Sequence, residues 1–199
     1  ARLAMGDFGY NQGWRVDVHE RLMGDLTGDG KADFIGFGND GVWTALGQGN
    51  GGFAAPRLVL ANFGSNQGWR TSQHPRFVTD LTGDRRADIL GFGNAGVWVA
   101  LGNGDGTFQN ARFVLANFGP DQGWPVQGHP RFLADTTGDG KPDIVGFGND
   151  GVWVAVNKGD GTFGDARFVL RDFGLHSGDT GIKHVFVLML ENRSYDHFL

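Results

Sequence analysis

The chain has no cysteine, which excludes a disulfide frame, a thiolate zinc site and a cysteine nucleophile. It also lacks a long apolar run: the longest, VFVLML at 185–190, falls far short of the ~20 residues a membrane-spanning helix needs. No membrane span is expected. Lysine and arginine form no cluster and the formal net charge is −5, which argues against nucleic acid as a partner. Glutamate and lysine are scarce, so little supports helices. The opening ARLAMGDFGY carries no charged-then-apolar leader pattern. Against these absences stand 36 glycines, 17 phenylalanines and 6 tryptophans, the composition of many short strands joined by tight turns. The fold class is all-β.

Self-comparison gives the architecture. DLTGDGKADFIGFGNDGVW, DLTGDRRADILGFGNAGVW and DTTGDGKPDIVGFGNDGVW begin at Asp25, Asp80 and Asp135, a repeat of 55 residues without insertion. Phe8, Phe63, Phe118 and Phe173 keep that period, as do Trp14, Trp69 and Trp124, and His19, His74 and His129. Within the middle copy, alternation and turn residues predict four strands at about 76–79, 87–92, 96–101 and 112–117. The sequences GNAG and GNDG supply hairpin turns between the second and third. In GVWVAL the residues Val97, Val99 and Leu101 face away from Trp98 and Ala100, and both faces are apolar. A four-stranded antiparallel sheet of this kind must be covered twice, and radial stacking of equivalent sheets does so. The expectation is a β-propeller with three full repeats, at about 20–74, 75–129 and 130–179, within a region spanning 1–179. Propellers close with about four to eight blades, so three make an incomplete ring, to be completed by more of the chain or by a homo-oligomer.

The pattern D-x-T-G-D-G-x-x-D, followed by GFG and a V-W strand, resembles the FG-GAP/VCBS repeat. With the linkers NQGWRTSQHPRF and DQGWPVQGHPRF, it is similar more narrowly to the seven-bladed fungal lectins of the Psathyrella velutina type. The resemblance implies a propeller that carries calcium in some loops, binds N-acetylglucosamine-type glycans between blades and is secreted.

Two sets of residues are candidates for those sites. In the first loop Asp25, Thr27, Asp29 and Asp33 occupy alternate positions, with the Lys31 carbonyl between the last two, and calcium takes six to eight such oxygens. Asp135, Thr137, Asp139, Lys141 and Asp143 repeat the set. Asp80, Thr82, Asp84 and Asp88 do so with Arg85 in place of a glycine, which predicts the weakest site. The competing reading is that these aspartates cap turn N–H groups. The second set lies in the linkers: Asn11, Gln12, Trp14 and His19; Asn66, Gln67, Trp69, His74 and Arg76; Asp121, Gln122, Trp124, His129 and Arg131. A sugar needs an aromatic face and fixed donors and acceptors, and each linker has both. The alternative is packing between blades. Trp43, Trp98 and Trp153, inside strands, read as packing residues.

After Gly174 the repeat lapses. The segment GIKHVFVLMLENRSYDHF, within 180–199, resembles the opening of the phosphoesterase family that includes bacterial phospholipase C and acid phosphatases. The resemblance implies that Glu191 and Asn192 are metal ligands of such a domain, cut short here. No catalytic set is present, so no enzymatic activity is expected of this chain. The propeller would then target a hydrolase acting on ester bonds to glycans. Rival readings are a protein-interaction propeller of the integrin type and an inert scaffold.

Overall fold

The computed structural model describes residues 3–175. The phosphoesterase-like segment, with Glu191 and Asn192, lies outside the described residues. Three four-stranded antiparallel sheets follow one another along the chain, each a meander. Blade 1 holds β1 (Arg21–Gly24), β2 (Asp33–Phe37), β3 (Val42–Ala45) and β4 (Arg57–Leu60). Blade 2 holds β5 (Arg76–Thr79), β6 (Asp88–Gly93), β7 (Gly96–Ala100) and β8 (Arg112–Leu115). Blade 3 holds β9 (Arg131–Ala134), β10 (Asp143–Phe147), β11 (Val152–Ala155) and β12 (Arg167–Leu170). These are β-propeller blades, and three of them do not close a ring.

The strands fall where alternation and turn residues put them, with two adjustments. β6 begins one residue later than expected, because Ala87 donates its N–H to the Asp25 carbonyl of the neighbouring blade at 2.7 Å instead of entering the ladder. The outer strand β8 ends at Leu115, and its Phe113 is exposed, as are Leu58 of β4 and Phe168 of β12. The rim strand has no blade pressed over that face, so coverage on both sides holds for the inner strands and stops at the rim.

The cores lie between blades. Ile35, Phe37 and Val42 of blade 1 pack with Ile89 and Ala100 of blade 2 in one cluster. Leu90, Phe92 and Val97 of blade 2 pack with Ile144 and Ala155 of blade 3 in another. Phenylalanine closes each seam. Phe63 meets the Phe37 ring edge-on at 6.4 Å and the Trp69 ring at 4.8 Å, and Phe118 meets Phe92 and Trp124 likewise. These phenylalanines, with Phe8 and Phe173, have φ of 60–65°, a left-handed conformation that is an outlier for a bulky residue. In each case the preceding Asn or Asp side chain accepts the phenylalanine's own N–H, at 2.6–2.8 Å. The strained turn aims the ring into the seam. At the far side of blade 3, Phe173 meets no further blade among the described residues and is 41 % exposed beside an apolar cleft lined by Phe132 and Phe147.

Candidate carbohydrate site

The linker chemistry begins with a short 3-10 turn: Tyr10–Gln12, Ser65–Gln67 and Pro120–Gln122. Each ends on a glycine with φ of 83–90°, which turns the chain so that the following tryptophan folds back over its blade. The tryptophan lies on the glycines of the GFG strand. A Cβ on Gly91 would sit 2.7 Å from the Trp69 ring, and one on Gly36 or Gly146 would meet Trp14 or Trp124 equally closely. Those glycines are there because the indole occupies the side-chain volume. Trp69 and Trp124 also donate their indole N–H to Asn62 and Asn117, at 3.2 and 3.1 Å.

This arrangement divides the expected sugar set. Trp69 and Trp124 are 7 and 6 % exposed and serve the seam. His74 is buried; its Nδ1 accepts the Arg70 N–H at 3.0 Å, which fixes the proton on Nε2, and Nε2 donates to Asn94 at 2.7 Å. Burial lowers its pKa, so the ring is neutral. His19 repeats the arrangement with Arg15 and Asn39. His129 keeps the bond to Asn149, but Pro125 has no N–H, and the buried Nδ1 is unsatisfied. Arg76 and Arg131 are buried at the start of the first strand of their blades. At the second and third linkers Trp69, His74, Arg76, Trp124, His129 and Arg131 are thus buried against the blade they support.

Asn66, Gln67, Asp121 and Gln122 are exposed. The second linker lays its backbone on the β2–β3 hairpin: Ser65 and Asn66 donate N–H groups to the Gly38 and Asn39 carbonyls at 3.1 and 2.9 Å. Asn66 Nδ2 donates to the Asp40 carboxylate at 2.8 Å, and the Ser65 hydroxyl to Asn39 Oδ1 at 2.6 Å. At the next seam Asp121 docks on Asn94 in the same way, at 3.0 Å. There the hairpin residue equivalent to Asp40 is Ala95, and the linker residue equivalent to Asn66 is Asp121. Each seam thus carries one aspartate in this pair of positions, once in the hairpin and once in the linker.

The first linker opens onto a cleft of about 340 Å³ lined by Asp7, Gln12, Trp14, His19, Asn39, Asp40 and Trp43, with Phe8, Gly13 and Gly38 completing the wall. Its volume is at the small end of small-molecule sites. Of the expected first-linker residues, Gln12, Trp14 and His19 line it; Asn11 is exposed outside it. Asp7, Asn39, Asp40 and Trp43 are additions. The hairpin pair had read as turn formers and Trp43 as core. Their 55-residue recurrence with the linker was the available signal, since the hairpin faces the linker.

The aspartate loops close on themselves. Asp25 accepts N–H groups from Thr27, Gly28, Asp29 and Gly30 at 2.7–3.2 Å. Asp29 pairs with Lys31, as Asp84 does with Arg86 and Asp139 with Lys141. Asp33 is buried, its two oxygens accepting the Leu26 and Gly47 N–H groups at 2.8 Å, and Asp88 and Asp143 are placed alike. Among the described residues no three His, Asp or Glu side chains converge as metal ligands. In the conformation described the ninth-position aspartates face the sheet, and a lysine or arginine stands beside the fifth.

Blades with an open cleft of two indoles, carboxylate and amide groups at the first linker define a propeller with a polar cleft. A solved structure of an Agrocybe aegerita lectin, concerned with specific recognition of non-reducing terminal N-acetylglucosamine, is 51 % identical to this chain with a TM-score of 0.87. The match covers 89 % of this chain and 44 % of that one, so this chain spans less than half of the lectin's length. The Photorhabdus luminescens Tc holotoxin pore shares the fold at 18 % identity and a TM-score of 0.55, over 73 % of this chain and 7 % of that one. No protein-family model and no curated protein matches the sequence.

Proposed function

We propose that the chain is a carbohydrate-binding propeller module that takes terminal N-acetylglucosamine-type glycans at the cleft of its first linker. The observation that carries this is the 51 % identity, over 89 % of the chain, to a lectin described as recognising that sugar. The cleft chemistry supports it: the Trp14 and Trp43 indoles offer faces to sugar C–H groups, while Asp7, Asp40, Asn39 and Gln12 offer acceptors and amide donors for hydroxyls and an acetamido group. Binding is directional and reversible, and no reaction follows. Titration with N-acetylglucosamine, followed by indole N–H resonances, is expected to shift Trp14 and Trp43, with glucose lacking the acetamido contacts and binding more weakly. If neither sugar moves any indole resonance, the reading fails.

Calcium in the Asp25, Asp80 and Asp135 loops is a narrower proposal, supported by residue spacing alone. Binding would require Asp25 to exchange some of its four N–H donors, and Asp29 its lysine, for the ion. Millimolar calcium, the range of weak extracellular sites, is expected to raise the melting temperature relative to chelator. Equal melting in both excludes it. Secretion, and service as the targeting part of a longer phosphoesterase, belong to the same reading. Hydrolysis of a phosphate ester by the longer gene product, lost from its other domain but not on removal of the blades, tests the second.

A further inference from the structure

The arginine that opens each blade reveals a difference between two otherwise equivalent seams. In the seam between blades 1 and 2, Arg76 donates Nη1 to the Phe63 carbonyl at 2.9 Å and Nε to the Glu20 carboxylate at 2.9 Å, while its Nη2 meets no acceptor among the described residues. Glu20 comes from the preceding blade, and the pair is mostly buried. In the seam between blades 2 and 3, Arg131 Nη1 donates to the Phe118 carbonyl at 3.0 Å and to Trp124 O. Its Nε and Nη2, the side-on edge that matches a carboxylate, face no acceptor among the described residues. The position that supplies Glu20 in the first seam is Pro75 in the second. The two positions have the same backbone setting: Phe37 N–H donates to the Glu20 carbonyl at 2.9 Å and Phe92 N–H to the Pro75 carbonyl at 3.0 Å.

Arg131 is 4 % exposed, over the Phe92 ring at 5.3 Å. A guanidinium remains charged in such a place, and an uncompensated buried charge is strongly destabilising. Burial pushes its pKa down to about 10, with no carboxylate acting against it. At Arg76, by contrast, Glu20 opposes the same effect. The chain has built a counter-charge into one seam and left it out of the next.

We propose that the Nε/Nη2 edge of Arg131 binds a small monovalent anion of halide size, in the position that the Glu20 carboxylate holds beside Arg76. The site is separate from the sugar cleft and its role is to neutralise the second seam. Its occupant is selected by charge and size: two N–H donors of one guanidinium and the flanking aromatic wall suit a compact monoanion.

Bromide is the probe. Crystals of the protein grown in sodium bromide are expected to show an anomalous peak within hydrogen-bonding distance of Arg131 Nε and Nη2, and none at Arg76, where Glu20 stands. In solution the melting temperature is expected to be higher, by about 3 °C, in sodium chloride or bromide than in sodium gluconate of equal ionic strength. Pro75→Glu is expected to raise the gluconate value and to abolish the halide increment. A water-like density without anomalous signal at Arg131, peaks of equal height at both arginines, or an unchanged halide increment in Pro75→Glu would overturn the proposal. The crystal comparison needs no variant, so a Pro75→Glu chain that fails to fold leaves the test intact.

Discussion

Buried side chains of the same type do different things in this chain, depending on what is within reach. Asp88 illustrates the electrostatic side. Burial raises its carboxyl to about 6 despite N–H bonds from Gly102 and Leu81 that pull the other way, and Asp84 and Asp80 add to the rise. Its folded pKa therefore lies above the ~3.9 of an unfolded chain, so the folded state holds the proton more firmly. The resulting stabilisation is complete below about pH 4 and is lost as pH rises through about 6. Asp88→Asn cannot titrate, and turns an NH₂ toward one of two N–H groups, at a cost of about 1–3 kcal/mol. Urea denaturation is expected to show a larger gap between wild type and variant near about pH 4.5 than near about pH 7; a gap that widens toward pH 7 would reverse the sign. Which linker residues are buried and which face solvent was only half legible at this scale. Trp69 and His74 look like ligands because they are aromatic and polar in a linker, but Gly91 and Asn94, distant in sequence, draw them inward. Asp40 looks like a turn residue until Asn66 is found bonded to it.

At the scale of the strand, periodicity and turn chemistry were sufficient. Four strands per 55 residues, their meander order and the inner faces of GVWVA all follow from alternation, since β7 has to bury Val97 and Val99 against the neighbouring blade. The outer strand escaped the rule because its apolar residues, Phe113 among them, cover a rim with nothing beyond it. Alternation records which residues share a face and says nothing of whether a neighbour covers that face. The GFG glycine is the element's most sensitive position. Gly91→Ala places a methyl 2.7 Å from buried Trp69 and 3.0 Å from Phe63. Neither ring has room to withdraw, so guanidinium denaturation is expected to show a loss of about 1–3 kcal/mol. A variant as stable as wild type would mean that the indole does not rest on the strand.

For the whole molecule, blades repeat but seams are individually furnished. The repeat predicted stacking in chain order, and the cores confirm it, each drawing on two consecutive blades. It could not predict which linker side chains stay in solvent, because that depends on contacts between copies and not within one. The furnishing is testable at the hairpin. Asp40→Ala is expected to weaken N-acetylglucosamine binding at the first cleft about tenfold, equivalent to about 1.4 kcal/mol for a lost charge-assisted bond. Adding Asn66→Asp to that variant copies the second seam and is expected to restore affinity to within about twofold, read by calorimetry. A double variant as weak as the single would show that the carboxylate must come from the hairpin.

That exchange between hairpin and linker bears on how such repeats are compared. Aligned column by column, the first two copies differ at both of these positions, Asp40 against Ala95 and Asn66 against Asp121. In charge the two changes cancel, leaving one acidic residue in the pair with a different chain address. Similarity scored by column would therefore understate the likeness of two seams that each carry one acidic residue in this pair of positions.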